Sequence, residues 1–118
     1  MKPLPIPKSE QIAALLNGSF FNLLSDYVEN PKYLNTRKFI TITRQDLVEY
    51  LNVNPDKANA FFAKELENNT THDVARIWRE ENEYVVAWMD HGEPRNRRAF
   101  HGLAEAIADL VIATYGIY

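Results

Sequence analysis

The stretch that decides the fold is TRQDLVEYLNVNPDKANAFFAKEL, residues 43–66, in which two helical patterns meet across NVNP. Thr43 is a natural N-cap, and Asp46 stands three residues later, in the reciprocal position of a capping box. Asn54 is predicted to cap the second helix, whose first turn accepts Pro55 because a missing N–H costs nothing there. Apolar residues fall where two packed helices would touch: Leu47, Val48, Leu51, Val53, Ala58 and Phe62. These features predict a compact corner of two helices.

Asn52 and Val53 form the predicted turn of this corner. Asparagine is one of the few non-glycine residues that tolerates a left-handed backbone, and Val53 is expected to fill the angle between the crossing helices. With these residues the stretch resembles the helix-turn-helix superfamily, and the strand pattern that follows it resembles the winged-helix branch. The resemblance covers about residues 39–90 and concerns shape. An ordinary two-helix corner, such as many α+β domains contain, is the alternative.

The rest of the chain alternates between helical and strand patterns. The predicted elements are an extended arm (1–8), a helix from Ser9 interrupted at 17–18, a strand (38–42), the two helices of the corner, a hairpin (74–90), a polar turn (91–100) with room for a short strand at 97–100, and a helix (102–114). We therefore predict an α+β fold of winged-helix-like type, in the order helix-strand-helix-helix-β-hairpin-helix, with extra helices at both ends. Residues 9–118 are expected to form one domain.

Length and composition narrow the class of protein. A chain of 118 residues suits a single domain, and the absence of cysteine excludes disulfides and thiolate chemistry. The opening segment lacks the apolar run of a signal peptide, and Glu105 and Asp109 interrupt the most apolar segment, so we expect a cytoplasmic protein that does not span a membrane. The net charge of −3 opposes nucleic-acid binding, which draws much of its affinity from neutralised phosphates.

The resemblance nevertheless implies double-stranded DNA as a partner and transcription regulation as a function. In DNA-reading members of the superfamily the second helix enters the major groove, and the hairpin contacts the backbone. The residues placed for such contacts are Arg44, Lys57, Asn59, Lys64, Arg76, Arg79, Arg95, Arg97 and Arg98. Asp56, Glu65 and Glu67 would repel phosphates from the same helix. We therefore predict a small DNA-binding protein in which an arginine-bearing hairpin and turn, residues 74–98, supply much of the positive charge.

The alternative is an acidic protein-binding module, of inhibitor, immunity or adaptor type, that uses the same scaffold without nucleic acid. The acidic balance favours it, and so do the hairpin aromatics Trp78, Tyr84 and Trp88, which are expected to share one face and would anchor a partner if exposed together. A homodimer is also predicted, through the long apolar stripes of the two terminal helices.

No enzymatic activity, cofactor or metal is expected. The chain has no glycine-rich phosphate loop, and its serines lack a neighbouring His–Asp arrangement. The three histidines, His72, His91 and His101, lack the spacing that places two ligands on one helical face. Isolated surface histidines are the simpler interpretation.

Overall fold

The computed structural model describes residues 1–117, which form an α+β fold, and this class was predicted. The helices are α1 (Lys8–Asn17), α2 (Phe20–Leu24), α3 (Arg44–Val53), α4 (Pro55–Leu66) and α5 (Leu103–Tyr115), and 3₁₀ turns occur at Pro31–Tyr33 and Thr36–Phe39. The strands β1 (Val74–Glu80), β2 (Glu83–Asp90) and β3 (Glu93–Phe100) form an antiparallel sheet in the order β1-β2-β3. No helix in this part of the chain is long and apolar enough to cross a membrane.

Helix α5 is the centre of the fold. It packs against α3 on one side and against all three strands on the other, and seven of its residues are buried. Ile107 of α5, Ile77 of β1 and Val86 of β2 are fully buried in the same core cluster. The apolar stripe that motivated the homodimer prediction is therefore largely used within one chain. The dimer itself stays a prediction.

The N-terminal segment is tied to the core. Ile6 is buried, and the backbone N–H of Lys2 donates to the carbonyl of Asp26 at 2.8 Å. The first helix begins at Lys8, one residue before the predicted start. It ends at Asn17, and the following Gly18 has a φ of 70°, the left-handed conformation that glycine accepts most readily. The predicted interruption at 17–18 is confirmed.

The predicted strand at 38–42 is wrong. Residues Thr36–Phe39 form a 3₁₀ turn, and residues 40–43 are extended without joining the sheet. The buried side chain of Gln11 hydrogen-bonds to Thr41, in place of the neighbouring strand that a sheet would provide. Its Oε1 accepts from the backbone N–H of Thr41 at 2.8 Å, and its Nε2 donates to Thr41 Oγ1 at 2.9 Å and to the carbonyl of Ile6 at 2.8 Å.

The corner between α3 and α4 is tighter than predicted. The capping box is present, since Thr43 and Asp46 exchange hydrogen bonds of 2.9 and 3.1 Å. However, α3 continues through Asn52 to Val53, and Asn54 alone separates the two helices. Val53, expected to fill the angle between them, is 78% exposed. The side chain of Asn54 donates back to the carbonyl of Tyr50 at 2.8 Å instead of capping α4.

The hairpin is confirmed, and a third strand does cover residues 97–100, but it begins earlier than predicted, at Glu93. Strands β1 and β2 pair from Val74 opposite Met89 to Glu80 opposite Glu83. The predicted polar turn at 91–100 is reduced to His91 and Gly92, both with positive φ, and the rest is the eight-residue strand β3. A bulge in β3 lies opposite the β2 segment between Val86 and Trp88, where Asn96 has a φ of 53°.

Candidate interaction surface

The two faces of the sheet differ in what covers them. Helices α4 and α5 both pack on the inner face: Phe62 of α4 meets the ring of Tyr84 edge-on at 5.3 Å, and Asp109 of α5 accepts from Arg98 of β3. The strand register places a second set of side chains on the opposite, outer face: Arg76, Trp78, Val85, Ala87, Met89, Arg97 and Ala99. Among these, Val85 and Ala87 are buried yet lie outside the core cluster, and their register partners on β1 are the larger residues Trp78 and Arg76.

Trp78, Glu80 and Arg97 contact one another on this outer face. The guanidinium of Arg97 lies 5.7 Å from the centre of the Trp78 ring and makes an ion pair with Glu80. The hydrogen bond from Arg97 is the main cause that lowers the pKa of Glu80 below its ordinary value. The outer face is therefore nearly neutral at this point, with a cation stacked on an aromatic ring.

The two tryptophans do not share a face, contrary to prediction. Trp78 pairs with Val85 on the outer face, whereas Trp88 pairs with Ala75 and Arg95 on the inner face. Trp88 is nevertheless 39% exposed. The outer face thus offers one tryptophan, and the second lies on the other side of the sheet.

Two of the arginines placed for DNA contacts are held by one buried carboxylate. Asp109 accepts from Nε of Arg98 at 2.7 Å through one oxygen and lies 3.3 Å from a terminal nitrogen of Arg44 through the other. The side chain of Asp109 is 9% exposed, against 51% for Arg44 and 37% for Arg98. This cluster joins α3, α5 and β3, and the single carboxylate of Asp109 neutralises one of the two arginine charges.

The remaining arginines also have partners within the chain. Arg95 lies between the carboxylates of Asp90, at 3.8 Å, and Glu93, at 3.4 Å. Arg76 donates to the carbonyls of Thr70 and Glu65, where β1 follows α4. Arg79 donates to the carbonyl of Glu81 and lies over the Tyr84 ring. The hairpin therefore presents its arginines already engaged, and the bulge at Asn96 divides Arg95, Arg97 and Arg98 between the two faces of the sheet.

The polar residues of α4 are exposed but point in two directions. Lys57 and Lys64 line a groove beside α1, together with Ala13, Leu16 and Ala60. Asn59 lies on another side of the helix, near Leu103 and Ala104. Glu65 is partly buried, and this burial raises its pKa above the ordinary value. The nine residues placed for DNA contacts therefore do not form one continuous basic surface.

Two features of the candidate surfaces were missed from the sequence. The outer face carries neither α4 nor α5 because both helices pack on the inner side of the sheet, and no local sequence pattern indicates that arrangement. His72, Asp90 and His91 bring ligand atoms within 4.8 Å of one another, so they are able to hold a metal ion. The signal for this cluster was the predicted hairpin register, which continues outward to place His72 opposite His91.

Comparison with protein-family models, with curated proteins and with solved structures finds no match to this chain. The resemblance to the helix-turn-helix superfamily accordingly rests on residues 39–90 alone. Function has to be inferred from the surfaces described above.

Proposed function

We propose that the protein is a protein-binding module that presents the outer face of its sheet to a partner protein. The observation that carries this proposal is the placement of α4 and α5 on the inner face, which leaves the outer face covered by its own side chains. A sheet face that presents aromatic and arginine side chains is suited to a protein partner, because such side chains anchor interfaces. Trp78 and the stacked Arg97 supply that pair here.

The charge distribution also favours a protein partner. All six arginines placed for DNA contacts form ion pairs with carboxylates or donate to main-chain carbonyls of the chain itself. A phosphate backbone would have to compete with these partners, on a protein whose net charge is −3. A partner protein does not need to displace these ion pairs, because a protein interface gains most of its affinity from apolar area and a few anchoring side chains.

DNA binding through a winged-helix arrangement is the second candidate, favoured by the exposure of α4. Ala58 is the only residue of that helix that is fully buried, and Lys57 and Lys64 lie two turns apart on one side of it. A helix that projects in this way has the form of a groove-binding element. On this reading Lys57, Asn59 and Lys64 would contact DNA, and the arginines would position the scaffold.

Two alanine-to-glutamate variants distinguish the candidates. Ala99→Glu adds bulk and charge to the outer face, whereas Ala60→Glu adds them to α4 between Lys57 and Lys64, and both alanines are exposed. The tagged wild type and both variants are used to capture proteins from extracts of the source cells. A protein captured by the wild type is then purified, and its affinity for all three forms is measured by calorimetry.

The proposal predicts a partner that binds the wild type and the Ala60→Glu variant alike and the Ala99→Glu variant at least about tenfold more weakly, a loss of about 1.4 kcal/mol. In parallel, binding to mixed duplex DNA is titrated with salt. Saturable DNA binding that falls steeply with salt and is lost in Ala60→Glu, but not in Ala99→Glu, would overturn the proposal in favour of DNA.

A further inference from the structure

We infer that His72, His91 and Asp90 form a binding site for a divalent transition metal, with Zn²⁺ as the best-suited ion. The site lies at the end of the sheet where the chain enters β1 and where the turn joins β2 to β3. It is independent of the outer face, and the sequence spacing did not predict it.

The backbone holds the three residues together. Beyond the last paired positions of β1 and β2, the N–H of Asp73 donates to the carbonyl of Met89, and the N–H of Gly92 donates to the carbonyl of Thr71, both at 2.8 Å. The segment that precedes β1 is therefore clamped to the β2–β3 turn. His91 occupies the first position of that turn with a φ of 50°, and Asp73 has a φ of 52°.

This clamp brings the two imidazoles face to face. Their ring centres are 4.3 Å apart with an angle of 31° between the planes, and Nδ1 of His72 lies 3.4 Å from the backbone nitrogen of His91. One ligand atom from each of His72, His91 and Asp90 lies within 4.8 Å of the other two. Ligands around a tetrahedral Zn²⁺, at about 2.0–2.2 Å from the ion, stand about 3.4 Å apart. His72 and His91 are exposed and Asp90 is half-buried, so the ion's ligand spacing requires their side chains to rotate toward one another.

The donor set suits a borderline metal ion. Two imidazoles and a carboxylate are common zinc ligands, and water completes the fourth position. Oδ2 of Asp73 lies 3.1 Å from Nε2 of His72, where a carboxylate commonly orients a metal-bound imidazole. The metal ligand is then Nδ1, which has to release the hydrogen bond of 3.4 Å that it accepts from the backbone N–H of His91. Arg95 opposes the site, since it lies 3.8 Å from Asp90 and has to release that carboxylate when the ion binds. Glu93 remains available to Arg95 at 3.4 Å.

The test is calorimetric titration of the full chain with ZnCl₂ in a buffer that does not bind zinc. The wild type should bind one ion, with saturation. His72→Ala and His91→Ala should each weaken binding at least about tenfold, whereas His101→Ala, which removes an exposed histidine outside the cluster, should leave it unchanged. Circular dichroism of each variant checks that the fold is intact.

Absorption spectra of the Co²⁺-loaded protein provide a second measurement, because tetrahedral and octahedral Co²⁺ differ in colour and intensity. A tetrahedral spectrum that disappears in the His72 and His91 variants supports the site. Absence of saturable zinc binding, or binding that His72→Ala and His91→Ala leave unchanged, would overturn the inference. Neither result depends on whether the outer face binds a protein.

Discussion

Replacement of the buried Gln11 by alanine is expected to destabilise the fold strongly. Gln11 is fully buried and makes three hydrogen bonds, which join α1 to the backbone of Ile6 and to both the backbone and the hydroxyl of Thr41. The variant leaves the buried carbonyl of Ile6 without its partner, at a cost of about 2 kcal/mol. The N–H of Thr41 is nearer to water, so its loss costs about 1 kcal/mol. The sum is about 3 kcal/mol before any cavity is counted.

Urea unfolding followed by tryptophan fluorescence and circular dichroism measures this loss. The matched control is Gln45→Ala, because Gln45 is exposed on α3 and its side chain donates to the exposed Glu49 of the same helix, at 3.0 Å. That control should change the free energy of unfolding by no more than about 0.5 kcal/mol. Amide hydrogen exchange at Thr41 should also accelerate in Gln11→Ala, but not in the control. A Gln11→Ala variant as stable as Gln45→Ala would refute the assignment of residues 40–43 to a Gln11-bonded segment.

Three further predictions concern stability. Asp109→Asn should lower the free energy of unfolding by about 2 kcal/mol in urea melts, because it removes the shared carboxylate of two partly exposed arginines; an unchanged midpoint would contradict the cluster. Val53→Lys should lower the free energy of unfolding by no more than about 0.5 kcal/mol, because the side chain lies in solvent. Leu51→Ala should lower it by about 2–5 kcal/mol, because Leu51 is buried. Equal losses would indicate that Val53 packs between the helices, as the sequence predicted. Hydrogen bonding from Thr43 and the nearby Lys8 lower the pKa of Asp46 in the folded protein. The carboxylate therefore stabilises the fold at pH values above its unfolded pKa, near 4, and this stabilisation is lost as the pH falls through the lower folded pKa. The stability difference between wild type and Asp46→Asn should therefore be smaller at pH 2 than at pH 7, and a difference that grows in acid would contradict this account.

Local signals predicted the elements that local interactions stabilise. The Thr43–Asp46 capping box, the interruption at Gly18 and the hairpin around residues 81–82 all depend on neighbours within a few positions, and all are present. The predictions for Val53 and Asn54 failed within the corner itself, where Val53 is exposed and Asn54 bonds back to Tyr50. The wrongly predicted strand has a non-local cause. The β-branched segment 38–42 has strand propensity, but its hydrogen bonds go to Gln11, about thirty residues earlier, which no periodicity displays.

The candidate site was less predictable than the fold for the same reason. The partners of the arginines come from other elements, as when Asp109 of α5 binds both Arg44 and Arg98. A single extra residue at the bulge decides which arginine faces which side of the sheet, and sequence alternation assumes that no such residue exists. The pairing of His72 with His91, by contrast, follows from the hairpin register, which places the two residues opposite each other when it is extended beyond Val74 and Met89.

Strand β3 has a consequence for how the protein behaves at high concentration. It forms one edge of the sheet, and unpaired edges promote association of strands between molecules. Pro94 lacks an N–H to donate, the bulge at Asn96 bends the edge, and charged side chains follow one another along the strand. On the other edge, α4 packs against β1, and Arg76 of that strand donates to the carbonyls of Thr70 and Glu65. The sheet therefore resists edge-to-edge aggregation, and concentrated solutions should remain free of fibrils.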